Sequence, residues 1–230
     1  MIITSQGFGH FTQGLNNQDY GIETSQMLLI LDGCSEAKYS EVGTRLFSQL
    51  FSRKEEFDSL EKFEDNVKSI FDSLIETMKK YYPVQEELEK EFIMENLLFT
   101  IIACFETENE YIVKLFGDGY IITQNIRGCI SYMKFSYGGC PPYFAYKYCN
   151  IKTFNDYQFK TFRFDKKIFP KVAISTDGIL PIAKGEVKGL DNCIINGDKI
   201  LTEVGIKSQR QSFYDDITIG TFGGKNNERT

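Results

Sequence analysis

Aspartates stand where apolar, strand-like runs of the sequence begin or end. Asp32 follows the run MLLIL, Asp177 follows VAIST, Asp215 and Asp216 precede ITIGTF, and Asp19 precedes another short extended stretch. Side chains at strand ends can meet at one edge of a sheet, where like charges a few Å apart cannot all stay ionised unless cations neutralise them. Hard divalent cations with oxygen ligands are the usual partners of such carboxylates. The pattern therefore predicts a metal site built from aspartates.

The chain has a single histidine, His10, which limits the other kinds of hydrolytic chemistry. His-rich zinc sites and H-E-x-x-H proteases are excluded. A Ser-His-Asp or Cys-His arrangement would have to run through His10 alone. Carboxylates with a hard cation are therefore the better basis for a hydrolase.

Each Asp-Gly pair also has a simpler interpretation, because this dipeptide is first of all a turn. Asp118-Gly119 has strand patterns on both sides and is well explained as a hairpin turn. Asp32-Gly33 is followed by a polar stretch and a helical pattern, so no hairpin partner follows it. Asp177-Gly178 likewise precedes an Ile-Leu-Pro segment rather than a returning strand.

Composition narrows the class of protein further. The chain of 230 residues is 42% hydrophobic, which is enough for a core without a disulfide or metal staple. Its net charge of −6 and the lack of a basic stripe argue against nucleic-acid binding. The six cysteines form no C-x-x-C pair, and no apolar run reaches the ~20 residues that span a membrane. The first ten residues do not resemble a secretory signal, so we expect a cytoplasmic location.

Hydrophobic periodicity predicts an α+β sandwich with helices outside paired sheets, as one domain over 1–222 with a polar tail at 223–230. Helices are predicted over 40–51, about 59–81 and 197–206, with a short turn or helix at 84–92. Strands are predicted over 1–5, 26–31, 96–124 in three runs, 129–135, 151–154, 157–164, 171–175 and 217–222. The Gly-, Pro- and aromatic-rich segment 137–150 could be a flap near the site or a packed connection.

Five segments, taken in order, resemble the type 2C serine/threonine protein phosphatases, which are metal-dependent, and most closely a bacterial branch of that family. They are GHFTQGLNNQDYG (9–21), LILDGCSEAKYSEVGTRLF (29–47), LFGDGYIIT (115–123), AISTDGIL (173–180) and FYDDITIGTF (213–222). The resemblance implies a four-layer αββα sandwich, with two mostly antiparallel sheets flanked by helices. It also implies two magnesium or manganese ions at one edge of the sandwich.

The same resemblance assigns roles by position. Asp32 would bridge both ions, and the backbone carbonyl of Gly33 would bind one of them. Asp177 and Asp215 would complete the shell of the other ion, and Asp19 would act at the second metal, directly or through water.

The resemblance also concerns three further positions. Asp118 matches the position that can help hold a third, looser ion in bacterial members of the family. Asp216 is not expected to be a ligand. His10, or a metal-bound water, would supply the proton that the leaving group needs.

The implied reaction is the removal of phosphate from phosphoserine or phosphothreonine in proteins, with no covalent intermediate. The implied partners are a phosphorylated protein substrate and the serine/threonine kinase that opposes the enzyme.

The sequence departs from the family at the phosphate-binding position. Eukaryotic-type members have an arginine five residues before the first motif aspartate, where this chain has Gly14, and Glu36 adds negative charge after the Asp-Gly pair. Phosphate would then be held by the metals or by Lys38, Arg45 or His10. Two alternatives stay open: a phosphatase-fold domain that binds a phosphorylated partner without efficient turnover, and a phosphatase of small phosphoesters.

Overall fold

The computed structural model describes residues 1–81, 86–149, 151 and 156–222. Within these residues the strands are β1 (Ile2–Ser5), β2 (Tyr20–Glu23), β3 (Met27–Gly33), β4 (Phe99–Glu106), β5 (Glu110–Phe116), β6 (Gly119–Gln124), β7 (Ile130–Phe135), β8 (Lys160–Asp165), β9 (Lys171–Ser175) and β10 (Ile217–Thr221). The helices are α1 (Phe8–Gln13), α2 (Ser40–Phe51), α3 (Phe63–Tyr81), α4 (Glu86–Asn96), α5 (Leu180–Ala183), α6 (Asp191–Asn196) and α7 (Lys199–Ser208).

The strands form two five-stranded sheets, and every pair of neighbours is antiparallel. Sheet I has the order β1-β10-β9-β6-β7, and sheet II has the order β2-β3-β4-β5-β8. Each sheet therefore combines strands that are far apart in the sequence. Strand β6, for example, pairs with β7 and β9 rather than with β5, which precedes it.

The side chains of β3 explain why its sequence is a continuous apolar run. Met27, Leu29 and Leu31 pack against the helices that cover sheet II, whereas Leu28 and Ile30 pack in the layer between the two sheets. All five are fully buried. A strand that is covered on both faces needs apolar residues at every position, and the period of two is lost from the sequence.

Helices cover both outer faces of the paired sheets. Helices α2, α3 and α4 pack on sheet II through a cluster of phenylalanines, in which the ring of Phe47 lies 5.5 Å from that of Phe71 and 5.3 Å from that of Phe99. Ile182, Ile194 and Ile206, from α5, α6 and α7, pack on sheet I. The predicted four-layer αββα sandwich is confirmed.

Two predicted helices begin later than expected. The chain before Phe63 forms turns, in which the φ angle of Glu56 is +51° and the Ser59 N–H donates to the Glu56 carbonyl at 2.9 Å. Gly197 does not start the last helix, because its φ of +70° ends α6. Asp198 then caps α7, with its side chain accepting a hydrogen bond from the Leu201 N–H at 3.0 Å.

Other predictions of elements are met or lie outside the described residues. The helix over 40–51 and the strand over 171–175 have the predicted bounds. Residues 82–85, most of the predicted strand at 151–154 and the tail at 223–230 lie outside the described residues. Within the described chain, no helix is both long enough and apolar enough to cross a membrane.

Candidate active site

Aspartates from four separate segments converge at one edge of the sandwich. Asp32, Asp118, Asp177 and Asp215 all line one cavity of about 420 Å³. The remaining lining residues are Gly33, Cys34, Ser35, Glu36, Thr100, Gly139, Cys140, Pro141 and Tyr143. Among the described residues, no lysine, arginine or histidine lines this cavity. It is therefore a strongly acidic site.

Asp32 reaches the cavity because of its place on β3. It continues the alternation of Leu28 and Ile30, whose side chains lie between the two sheets, and it pairs with Thr100 on β4. The carboxylate thus stands at the end of the inter-sheet layer. Gly33 follows with no room for a side chain, since a Cβ there would lie 2.7 Å from the Gln18 carbonyl oxygen. The prediction that this pair does more than form a turn agrees with its position.

Asp118 lies in the short connection, or crossing, between the end of β5 in one sheet and the start of β6 in the other. Strand β5 belongs to sheet II and β6 to sheet I, so the hairpin-turn interpretation of Asp118-Gly119 is wrong. Gly117 and Gly119 have φ angles of +108° and +133°, which L side chains rarely adopt. A Cβ at Gly117 would also lie 2.5 Å from Cγ2 of Thr100. The two glycines allow a sharp crossing that presents the carboxylate between them.

Asp177 and Asp215 are brought together by close backbone packing. Asp177 begins a 3₁₀ turn, Asp177–Ile179, directly after β9 and Thr176. The turn rests on the segment before β10, where the Cα of Gly178 lies so close that a Cβ would come 1.9 Å from the Asp216 carbonyl oxygen. This contact fixes the two carboxylate-bearing segments side by side.

Asp19 is almost fully buried and is not one of the described residues that line the cavity. Its Oδ2 accepts a hydrogen bond from the Thr176 hydroxyl at 3.0 Å. The same hydroxyl oxygen accepts the Thr218 N–H at 3.0 Å, which ties β9 to β10. The charge of Asp19 contributes to the raised pKa of Asp32, after burial.

Burial and mutual repulsion raise the pKa of every carboxylate in this group. For Asp32 the largest cause is burial, followed by the charges of Asp19 and Asp177. Burial and the charge of Asp177 raise the pKa of Asp118 to about 6. Burial, more than any neighbouring charge, also raises the pKa values of Asp19, Asp177 and Asp215. Such a group gains stability from protons or from cations.

The donor set fits hydrated magnesium or manganese ions. In the described chain, no three His, Cys, Asp or Glu side chains are grouped tightly enough to hold an ion by themselves. Magnesium retains several waters and commonly takes only one or two carboxylates, so widely spaced aspartates around a cavity suit it. The residues that would hold such ions are Asp32 with the Gly33 carbonyl, Asp177, Asp215 and, at the cavity side of the crossing, Asp118.

Asp216 has a structural role that sequence reasoning missed. It is almost fully buried, and its carboxylate accepts the N–H of Gly7 at 2.8 Å and of Gln18 at 2.7 Å. His10 Nδ1 lies 2.9 Å from Asp216 Oδ2, without the alignment of a hydrogen bond, and Nε2 lies 3.9 Å from Asp215 Oδ1. The consecutive aspartates before β10 were the available signal. Asp216 thus anchors the N-terminal segment behind the cavity.

The segment at 137–150 combines both roles left open for it, as far as residue 149. Gly139, Cys140 and Pro141 line the cavity. Phe144 and Tyr146 are buried against the helices that cover sheet II. The first half therefore borders the site, and the second half is a packed connection.

The raised pKa of Asp118 predicts a pH effect on the metal-free protein. A carboxyl whose pKa is higher in the folded state contributes stability below its unfolded pKa and loses it as the pH rises through its folded value, about 6. We expect Asp118→Asn to match wild type near pH 4 and to be more stable by ~1–2 kcal/mol at pH 8. Urea unfolding in EDTA at both pH values measures this. An equal difference at both would contradict it.

Comparison with known proteins finds similarity in structure alone. No protein-family model matches the sequence, and no curated protein matches it. The catalytic domain of the serine/threonine protein phosphatase PstP, in complex with two manganese ions, superposes with a TM-score of 0.63 at 14% identity, covering 96% of this chain and 95% of that one.

Two further solved structures show the same similarity. The serine/threonine phosphatase Stp1 from Staphylococcus aureus has a TM-score of 0.58 at 15% identity, covering 95% of this chain and 92% of that one. PppA, a regulatory component of the T6SS in Pseudomonas aeruginosa, has a TM-score of 0.58 at 11% identity, covering 95% and 94%. The chain therefore has the fold of the bacterial type 2C serine/threonine phosphatases.

Proposed function

We propose that this protein is a metal-dependent phosphomonoester hydrolase that removes phosphate from phosphoserine and phosphothreonine in proteins. The observation that carries this proposal is the convergence of Asp32, Asp118, Asp177 and Asp215 on one cavity. The fold adds support, because PstP and Stp1 share it and both are serine/threonine phosphatases. The enzyme that opposes this reaction would be a serine/threonine kinase.

Some residues of the site would bind cations, and others would hold those ligands in place. Asp32 and the Gly33 carbonyl, with Asp177 and Asp215, would hold two magnesium or manganese ions, and PstP with its two manganese ions supports that number. Bound ions of this kind lower the pKa of a coordinated water and offset charge on a phosphoryl group. Asp118 would help hold a third, looser ion.

Residues behind the cavity would keep this arrangement rigid. Asp19 is held by the Thr176 hydroxyl, so its charge stays beside Asp32. It would act at the second metal, directly or through water. Asp216 binds two backbone N–H groups of the N-terminal segment and contacts His10. Proton donation by His10 to the leaving group stays a prediction, and its position favours first a role in holding Asp215 and Asp216.

The acidic lining also favours a second candidate function. With Glu36 on the wall and no basic side chain among the described lining residues, substrate affinity depends on the ions. A phosphatase-fold domain that binds a phosphorylated partner with little turnover could have such an acidic lining without basic side chains. Hydrolysis of small phosphoesters is the remaining alternative.

Substrate comparison separates these functions. We expect manganese-dependent release of phosphate from phosphoserine and phosphothreonine peptides, with a kcat/KM above that for para-nitrophenyl phosphate, since a peptide adds contacts around the cavity mouth. Phosphate release is measured for both substrates at several manganese concentrations, with EDTA as the control. A preference for the small ester would favour a small-molecule phosphatase, and binding of phosphopeptide without release would favour the non-catalytic domain.

A further inference from the structure

The negative charge of the cavity lining repels the negative phosphoryl group of any phosphorylated substrate. A phosphoryl group carries close to two negative charges at neutral pH, whereas the described lining offers four aspartates, Glu36 and no lysine or arginine. Gly14 ends α1 with nothing within 4 Å of where a side chain would begin, so this position offers no charge either. A cationic side chain that contacts the substrate must therefore come from another helix, strand or loop.

Lys134 lies on β7, one of the two edge strands of sheet I. It pairs with Tyr120, which lies two residues beyond Asp118 on β6. Tyr120 packs on the outer face of sheet I with Ile179, the last residue of the 3₁₀ turn that Asp177 begins. Cross-strand partners share a face of the sheet, so Lys134 lies on the same face as that turn.

The side chain of Lys134 is available for a ligand. It is exposed, and among the described residues its ammonium forms no ion pair or hydrogen bond. Asp118 lies two residues before Tyr120, the partner of Lys134, and diagonal neighbours on adjacent strands are ~7–8 Å apart, within reach of a long side chain. Lys38, another cation near the candidate site in the sequence, instead lies 4.0 Å from Glu95.

We propose that Lys134 binds the phosphoryl group of the substrate at the Asp118 and Asp177 side of the cavity mouth. The proposal rests on the proposed phosphatase function and adds a substrate-binding residue to it. A lysine ammonium is a compact charge with three donors, which suits a phosphoryl oxygen without demanding a fixed geometry. In this assignment Lys134 supplies the cationic contact that Gly14 cannot.

A substrate-binding role and a purely structural role predict different effects when the charge of Lys134 is removed. A positive charge near Asp118 and Asp177 opposes the binding of divalent cations at those carboxylates. Removing it should leave manganese affinity unchanged or increase it, and should weaken the binding of phosphate. If Lys134 only relieved repulsion between carboxylates, its removal would affect stability and leave phosphate binding unchanged.

Calorimetry with manganese and inorganic phosphate tests this on the whole protein. We expect Lys134→Ala to weaken phosphate binding in saturating manganese about two- to fivefold, the range for an exposed ionic contact. Lys134→Arg should retain most of the affinity. Lys167→Ala, at an exposed lysine in the turn between β8 and β9, is the matched control and should bind phosphate like wild type.

Steady-state kinetics completes the test. Lys134→Ala should raise KM for para-nitrophenyl phosphate and for phosphopeptides alike, with little change in kcat. Unchanged phosphate affinity, weakened manganese binding, or a KM effect confined to peptides with acidic flanks would overturn the assignment. Because phosphate binding requires no turnover, wild-type protein that binds phosphate through Lys134 and hydrolyses nothing would contradict the proposed function alone.

Discussion

Asp32→Asn is expected to abolish metal-dependent phosphate release and to make the metal-free protein more stable. Asp32 lies among Asp19, Asp177, Asp118 and Asp215, all of which raise its pKa, and burial raises it further. Because Asp32 is proposed to hold the ions, its loss should cost ~10³-fold or more in activity, beyond the ~10–100-fold typical of residues that would only support the ligands. Removing one charge from a buried cluster of like charges should relieve repulsion in the absence of metal.

The opposite signs of these two effects make the variant informative. Activity is measured with saturating manganese, and the free energy of unfolding is measured by denaturant titration in EDTA. Asp156→Asn, at an exposed aspartate, is the matched control and should change neither quantity. A variant that is less stable than wild type without metal would indicate that Asp32 is held by hydrogen bonds as a structural residue. Retained activity would remove Asp32 from the reaction.

Gly178→Ala is expected to destabilise the fold and to disturb the site. A Cβ at this position would lie 1.9 Å from the Asp216 carbonyl oxygen, 2.8 Å from its carbonyl carbon and 3.1 Å from the Cα of Ile217. These are backbone atoms, and the Asp216 carboxylate is itself held by the N–H groups of Gly7 and Gln18. Neither side of the contact can move without breaking other bonds, so we expect a loss of ~1–3 kcal/mol or more.

Activity should fall with stability, because relief of the contact displaces Asp177 from Asp215. Gly138→Ala is the control, since a Cβ there would meet nothing within 4 Å. Thermal and urea unfolding of both variants, with manganese-dependent activity at a temperature where each is folded, makes the comparison. If Gly178→Ala were as stable and active as Gly138→Ala, the close packing of the two segments would not matter to the site.

The sequence predicted the layers of the fold because local patterns encode burial. The run MLLIL marks a strand covered on both faces, and the periodic apolar positions of residues 40–51 mark α2. The predicted first residues of helices were less accurate where a single residue determines the start of the helix. The positive φ of Gly197 ends α6, and the Asp198 side chain then begins α7, which periodicity alone does not reveal.

The candidate site was predicted in part, for a similar reason. The aspartates that follow or precede apolar strands, Asp32, Asp177 and Asp215, do line one cavity. Asp118 was equally well explained as a hairpin turn, because the sequence does not state that β5 and β6 belong to different sheets. The anchoring role of Asp216 and the position of Lys134 depend on contacts between distant segments, and no local pattern carries that information.

The most direct test of the proposed function is turnover of para-nitrophenyl phosphate by the purified protein across a manganese titration. The acidic cavity predicts that hydrolysis rises with manganese, is restored by magnesium or manganese after EDTA treatment, and is absent in Asp32→Asn. Folded protein that hydrolyses no phosphoester with either cation would contradict the assignment of this cavity as a hydrolytic centre.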